Sequence, residues 1–268
     1  MVKNRGIAND FMKAITKLTA RLMPILFLLL VASSQASSYS SADTRRNRSR
    51  HERAPNRAEM EDAERRLAEM GYWTGPVDGV IDATTRNALI AFQKMEGRKI
   101  TGRLNRSELE AILNAAPPQA REMSYEHVEV DLDRQVLLLV NSEGAIAKIL
   151  PVSTGSGKQY KEKGGSGLAY TPKGRFRIYG KFFGWRKSPL GLLYYPNYFS
   201  GGVAIHGNPD VPSRPESHGC VRIPMFAARE MSKLLPVGMI VLTYDQQSFV
   251  SGKEWAEEDR VKQAASVN

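Results

Sequence analysis

Apolar positions divide this chain into segments of different period. Residues 24–32 (PILFLLLVA) are almost wholly apolar, behind a stretch carrying Lys3, Arg5, Lys13, Lys17 and Arg21. After residue 57 the apolar positions fall at helical spacing: Ala63, Leu67 and Met70 share one face, and Ala88, Leu89 and Phe92 another, as a 3.6-residue period requires. Asp82 is placed to cap the second of these helices. Asn105 with Glu108 reads as a capping box for a third, with Leu109, Ile112 and Leu113 inward. Three short helices of this kind make a small bundle over residues 58–115, and Ala116-Pro117-Pro118-Gln119 opens a stiff linker over 116–123.

Beyond the linker the period changes to two. Val128, Val130 and Leu132 alternate with Glu129, Asp131 and Asp133, the mark of a half-buried strand. Residues 136–140 are continuously apolar and read as a buried strand. Residues 141–144 are a turn, and further strands begin at Ile146 and include Phe176, Ile178, residues 203–205 and residues 239–244. One helix is expected, over 227–235. The pattern predicts an α+β, multidomain chain: the three-helix bundle, then a mainly β domain over 124–246 built as a β-sandwich or barrel, then a polar tail over 247–268. Residues 155–167 (GSGKQYKEKGGSG) read as a Gly-rich basic loop, either beside a substrate groove or simply solvated. Phe182, Phe183, Trp185, Tyr194, Tyr195, Tyr198 and Phe199 crowd the stretch before His206. Some wall a cleft and others are core, and the same choice applies to Tyr72 and Trp73; Tyr125 and Trp255 read as packing.

The N-terminal run is too short for a relaxed membrane span. With its basic lead and with Ser34 and Ala36 at the −3 and −1 positions, it reads as a signal peptide over 1–36, the alternative being an uncleaved anchor. The formal charge is +10, but residues 1–36 and 37–57 carry about +4 each, leaving about +2 for the rest. The Ser/Arg-rich stretch over 37–57 is too poor in apolar residues to order itself and reads as a tether, solvated or drawn to an anionic envelope surface. Export argues against a nucleic-acid partner, and membrane contact is expected only through the signal segment.

An exported chain normally pairs its cysteines or avoids them. Here a single cysteine, Cys220, stands in Ser217-His218-Gly219-Cys220-Val221-Arg222, fourteen residues after His206 in Ala204-Ile205-His206-Gly207. A thiol needs a base to become a nucleophile. His206 is the candidate base, and His218 suits loop shaping and hydrogen bonding. Gly219 allows a tight path on which the N–H groups of His218, Gly219 and Cys220 could converge on one oxyanion. Together these groups specify acyl transfer through a thioester. Zinc would need more ligands than one cysteine and two nearby histidines, with Asp210 or Glu216 as the only further candidates, so neither a metal nor a cofactor is expected.

The run from Ser217 to Arg222, with His206-Gly207, resembles the active-site signature of the L,D-transpeptidase catalytic domain. Thr171-Pro172-Lys173-Gly174-Arg175-Phe176 and Pro151-Val152-Ser153-Thr154-Gly155 extend the likeness over about 125–245. Leu67, Gly71-Tyr72, Gly75, Asp78-Gly79, Thr84-Thr85, Ala88, Phe92-Gln93 and Gly102 resemble a peptidoglycan-binding domain over most of 58–115. The resemblance implies a periplasmic or wall-associated enzyme. Its donor is a stem tetrapeptide, attacked by Cys220 at the third residue with release of D-Ala. His206 moves the protons. The acceptor is the amine of a second stem, water, or a lysine of an envelope protein. Arg222 and Ser217 are implied on the substrate side, Arg222 either for donor carboxylate recognition or for bracing the loop. In parts of the family a serine follows the base histidine; here Gly207 does.

Overall fold

Side-chain caps set the ends of the helical part. In the computed structural model, which describes residues 53–163 and 165–249, Asn56 caps α1 (Arg57–Glu69). Its side chain accepts the Glu59 N–H, and the Glu59 carboxylate accepts the Asn56 N–H, a complete capping box. Asp82 caps α2 (Ala83–Met95) through the Thr85 N–H at 2.8 Å. At α3 (Arg106–Asn114) half of the expected box forms. Asn105 accepts the Glu108 N–H, but the Glu108 carboxylate turns inward to Gln93 and Arg98. Two side-chain donors in a buried setting outcompete an exposed backbone amide. Leu109 and Ile112 point inward as expected, while Leu113, one step round the helix, is exposed. Glu64, fully buried, accepts the N–H groups of Asp78 and Gly79 and the Thr85 hydroxyl, fastening the turn after α1 to α1 and α2. The segment read as a signal peptide, most of the basic stretch over 37–57 and nearly all of the tail lie outside the described residues.

The remaining elements are β1 (His127–Asp131), β2 (Val136–Val140), β3 (Ile146–Pro151), β4 (Gln159–Glu162), β5 (Gly165–Leu168), β6 (Gly174–Arg177), β7 (Gly180–Lys181), β8 (Trp185–Ser188), β9 (Gly191–Ser200), β10 (Val203–Asn208), β11 (Val221–Pro224), α4 (Met225–Leu234) and β12 (Ile240–Tyr244), with a 3₁₀ turn at Gln247–Phe249. One sheet runs β3-β2-β1-β12-β6 and is antiparallel except for β1 beside β12. The other runs β11-β10-β9-β7, with β8 also on β9 and β10 parallel to β11. Strands β4 and β5 form a separate hairpin.

Alternation explains how the sheets stack. Val128, Val130, Leu137, Leu139 and Leu150 meet Phe199, Ile205, Val221 and Ile223 and the α4 residues Ala228 and Met231 in one core. This is the β-sandwich the sequence predicts. Val136, Leu138 and Ile149 point the other way and share a second core with Leu67, Leu89, Phe92 and Ile112. The helical part therefore does not close on itself; the first sheet is its fourth wall. Gly71 and Trp73 add to the edge of β3 through Ile149 N–H to Gly71 O (2.8 Å) and Trp73 N–H to Ile149 O (3.2 Å). Tyr72 is core, edge-on to Phe92, and Trp73 packs edge-on to Phe226. Lys94 of α2, 5 % exposed, donates to the carbonyls of Gln135 (3.0 Å) and Val152 (2.9 Å). The described residues from Pro55 onward form one compact unit.

β1 corrects the expectation of a half-wet strand, because all five of its residues are buried. Glu129 is tolerated inside because its carboxylate accepts the N–H groups of Arg121 and Glu122 and the Tyr244 hydroxyl, and lies 3.1 Å from His127 Nε2. Burial pushes its pKa up, but these hydrogen bonds outweigh burial and hold it below the ordinary carboxylate value.

Candidate active site

The site is built where β10 and β11 run side by side. Their parallel register sets His206 level with Arg222, and Cys220 is the residue just before β11. The loop entering β11 is tied to the chain after β3. Ser153 and Arg222 exchange backbone bonds at 3.1 and 3.0 Å, the Ser217 N–H donates to Thr154 O at 2.9 Å, and the Ser156 N–H donates to Ser217 O at 3.0 Å. Thr154 is held in turn by Gln135, whose side chain accepts the Thr154 N–H and donates to its hydroxyl. The Ser217 hydroxyl donates to Cys220 O at 2.5 Å and accepts the Gly219 N–H at 3.0 Å. Ser217 is thus a brace inside the loop. The Gly219 N–H, read as an oxyanion donor, is taken by that brace.

Two glycines are dictated by space. Gly219 has φ of +144°, and a Cβ there would lie 2.7 Å from Tyr170 O. At Gly207 a Cβ would lie 2.5 Å from Ala228 Cβ, so α4 packs directly on the strand beside the histidine and excludes any side chain.

His206 is 2 % exposed, and its Nδ1 lies 2.9 Å from Gly207 O. A carbonyl only accepts, so Nδ1 carries the proton and Nε2 is left with a lone pair. Burial drives the imidazole pKa down to about 4; the nearby Arg222 charge adds to this, and the Gly207 carbonyl opposes it. The Cys220 thiol is half-buried and lies 3.8 Å from Gly202 O. Burial raises its pKa, against the backbone of Ala204 and the charge of Arg222. Among the described residues no hydrogen bond joins the thiol to His206, but both line one cavity of about 780 Å³, as do Ser217, His218, Gly219 and Arg222. All six residues singled out in the sequence are therefore together.

His218 is engaged by the β4–β5 hairpin. Its Nε2 lies 2.9 Å from Glu162 Oε1, and its ring stands edge-on to Tyr160 with 4.6 Å between centroids. Residues 155–167, read as a loop, hold β4 and the start of β5, whose hairpin meets the site here. Strand pairing through the main chain needs no apolar alternation, so its sequence carries no strand pattern. Asp210 and Glu216, the carboxylates that a zinc site would need, face Arg222 and Arg214.

Sequence reasoning missed Arg186, Lys187, Tyr179 and Tyr198, which also line the cavity. Arg186, Lys187 and Tyr198 lie on β8 and β9, in the aromatic stretch to which no individual role was given, and Tyr179 lies just before β7. Burial raises the Tyr198 pKa, opposed by Arg186 and reinforced by Cys220.

Two regions of the chain match known protein families. Residues 125–242 match the family model of the L,D-transpeptidase catalytic domain, and residues 56–112 match that of a putative peptidoglycan-binding domain. The class is thereby a peptidoglycan-modifying enzyme with a helical part of the peptidoglycan-binding-domain type ahead of its β-sandwich. A crystallised L,D-transpeptidase from Xylanimonas cellulosilytica is 36% identical over 72% of this chain and 98% of that chain, with a TM-score of 0.66. An L,D-transpeptidase from Stackebrandtia nassauensis is 23% identical over 69% of this chain and 90% of that one, with a TM-score of 0.42. A search of curated proteins returned no match. The chain belongs to the L,D-transpeptidase family.

Proposed function

We propose that this protein is an exported, wall-associated L,D-transpeptidase that uses Cys220 as nucleophile and His206 as base to form 3–3 crosslinks between peptidoglycan stems. The observation that carries the reading is the parallel β10–β11 pair, which sets a lone thiol and a buried, neutral imidazole on one cavity wall. His206 Nε2 takes the thiol proton as sulfur attacks the carbonyl of the third stem residue. The tetrahedral oxyanion is held by backbone N–H groups at His218 and Cys220, since Ser217 occupies that of Gly219. Collapse breaks the bond to D-Ala, whose amine leaves with the proton from His206, and a thioester remains. An acceptor-stem amine then loses a proton to His206 and attacks the thioester, and Cys220 leaves as thiol. In this reading Arg222, whose backbone is level with that of His206, either meets the donor carboxylate or braces the loop. The domains read over 58–115 and 124–246 act together, the first holding wall polymer near the second.

Incubation with a purified muropeptide digest tests the reading by mass spectrometry. Loss of D-Ala together with 3–3 dimers is expected. Loss of D-Ala without dimers would mean that water is the acceptor, and dimers on an added lysine-bearing protein would mean attachment. No D-Ala release from any stem would sink the proposal.

The pH dependence follows from the two shifts. The working state carries one proton on the cysteine–histidine pair, so kcat/KM holds its plateau between the imidazole and thiol titrations. Burial has lowered the first to about 4 and raised the second. The acid limb is therefore expected near pH 4, well below the ordinary histidine value, and the alkaline limb above the ordinary thiol range. A pH–rate profile with its acid limb at about 6.5 would contradict this assignment.

A further inference from the structure

Four buried polar side chains lie in a row between the helical part and Cys220. Lys94, Gln135, Thr154 and Ser217 are each at most 5 % exposed. The Lys94 amine donates to Gln135 O at 3.0 Å and to Val152 O at 2.9 Å. The Gln135 amide donates to the Thr154 hydroxyl at 2.7 Å and accepts the Thr154 N–H at 2.9 Å. Thr154 O accepts the Ser217 N–H, and the Ser217 hydroxyl donates to Cys220 O. The row runs without a gap from α2 to the carbonyl of the residue that bears the thiol. A second arm starts at Val152, since the next residue, Ser153, is paired through its backbone with Arg222.

Two members of this row are out of keeping with ordinary packing. Burying an amine is unfavourable, and the other large inward side chains of α2, Leu89 and Phe92, are apolar. A methionine would fill the place of Lys94. What the amine adds is a grip on two carbonyls, one just before β2 and one just after β3. Gln135 has φ of +56°, in the left-handed region that glycine and asparagine enter more readily. Its side chain compensates, because both amide N–H groups and the amide oxygen are engaged, on Leu132 O and on Thr154. A strained backbone held by a fully satisfied buried network is a rigid support, and this one ends on the loop of the nucleophile.

We propose that Lys94 and Gln135 are positioning residues for the reaction: from the helical part they set the loop from Ser217 to Cys220, so that this part shapes the reactive centre as well as holding wall polymer. The proposal deepens the reading of Cys220 as nucleophile and rests on it. Among the described residues neither Lys94 nor Gln135 lines the cavity of the thiol. Their loss therefore acts on the geometry of attack and not on substrate contacts, which lowers kcat and leaves KM in place.

Two variants of the full-length chain provide the test. Lys94→Met keeps the bulk and removes the donor. Gln135→Gly removes the amide and adopts the left-handed backbone without strain, so it stands in if Lys94→Met does not fold. The first readout is hydrogen exchange at the Ser217 and Gly219 N–H groups, which reports opening of the loop in the folded protein. Exchange there is expected to quicken by roughly fivefold to tenfold in each variant, the scale of one or two lost hydrogen bonds, with exchange in α4 and β10 unchanged. The second readout is D-Ala release from a stem tetrapeptide, where kcat is expected to fall about tenfold or more and KM to stay within about twofold. Unchanged exchange at Ser217 and Gly219 in a folded variant would overturn the proposal. So would a kcat equal to the parent's, a loss confined to KM, or failure of both variants to fold, which would make the pair supports of the fold alone. Faster exchange in variants of a parent that releases no D-Ala would leave the link from α2 to the loop standing and remove the transpeptidase reading. D-Ala release by the parent with neither readout moved in the variants does the reverse.

Discussion

Cys220→Ala is expected to abolish D-Ala release and crosslink formation, a fall of at least about 10³-fold in kcat/KM, the scale seen when an enzyme loses its nucleophile. No second thiol can stand in, because Cys220 is the only cysteine of the chain. The loop that carries it is held without the sulfur: Ser217 bonds the Cys220 carbonyl and the Gly219 N–H, and Thr171 donates to the Gly219 carbonyl at 2.6 Å. The variant should therefore melt close to the parent, since the loop's hydrogen bonds do not involve the sulfur and only one half-buried atom is removed. Intact-mass measurement after exposure to a carbapenem separates chemistry from folding. The parent should gain one acyl adduct and the variant none. An adduct of equal yield on the alanine variant would show that another residue is the nucleophile.

The second large effect concerns the helical part. A shortened chain beginning at residue 116 is expected not to give a soluble, cooperatively folded β domain. Its loss uncovers Val136, Leu138 and Ile149, each at most 2 % exposed in the intact fold. At about 1.5–3 kcal/mol per large aliphatic side chain this is roughly 5–9 kcal/mol of apolar burial, against a total stability of about 5–15 kcal/mol for a typical domain. The edge of β3 also loses its partners at Gly71 and Trp73, and the carbonyls of Gln135 and Val152 lose the Lys94 amine. The uncovered face is a contiguous apolar patch of the kind that drives aggregation. A soluble shortened chain with a single sharp thermal transition near that of the whole protein would refute the shared core.

What could be read beforehand divides along physical lines. Elements whose residues meet a core carry their period in the sequence, so α1 to α4 and β1 to β3 were legible. The apolar run at residues 136–140 announced burial on both faces, though not that the helices supply the second cover. Contacts made by main-chain groups and by long polar side chains leave no such pattern. The β4–β5 hairpin, the buried Glu129 and the turn of Glu108 away from Asn105 fall in this class: the hairpin pairs through its own main chain, and the two carboxylates take donors from other segments. The site was legible as a motif because Ser217 to Cys220 are contiguous and His206 is near in sequence. The part that Arg186 and Tyr198 take in the cavity was not, since only the pairing of β8 and β10 with β9 brings them to the cavity that Cys220 lines.

The parallel pair β1–β12 has a consequence for how the molecule is made. These strands bound the sandwich in sequence and are neighbours inside its first sheet, with His127 against Ile240 and Asp131 against Tyr244. Until Tyr244 has been synthesised, β1 has an open edge and β6 has no partner in that sheet. Joining positions so far apart costs loop-closure entropy before any contact rewards it, and it gives the fold a high contact order. The sheet cannot be completed on a growing chain, so a polypeptide stopped short of residue 240 lacks the strand that joins β1 to β6, and assembly must wait until translation of the sandwich is finished.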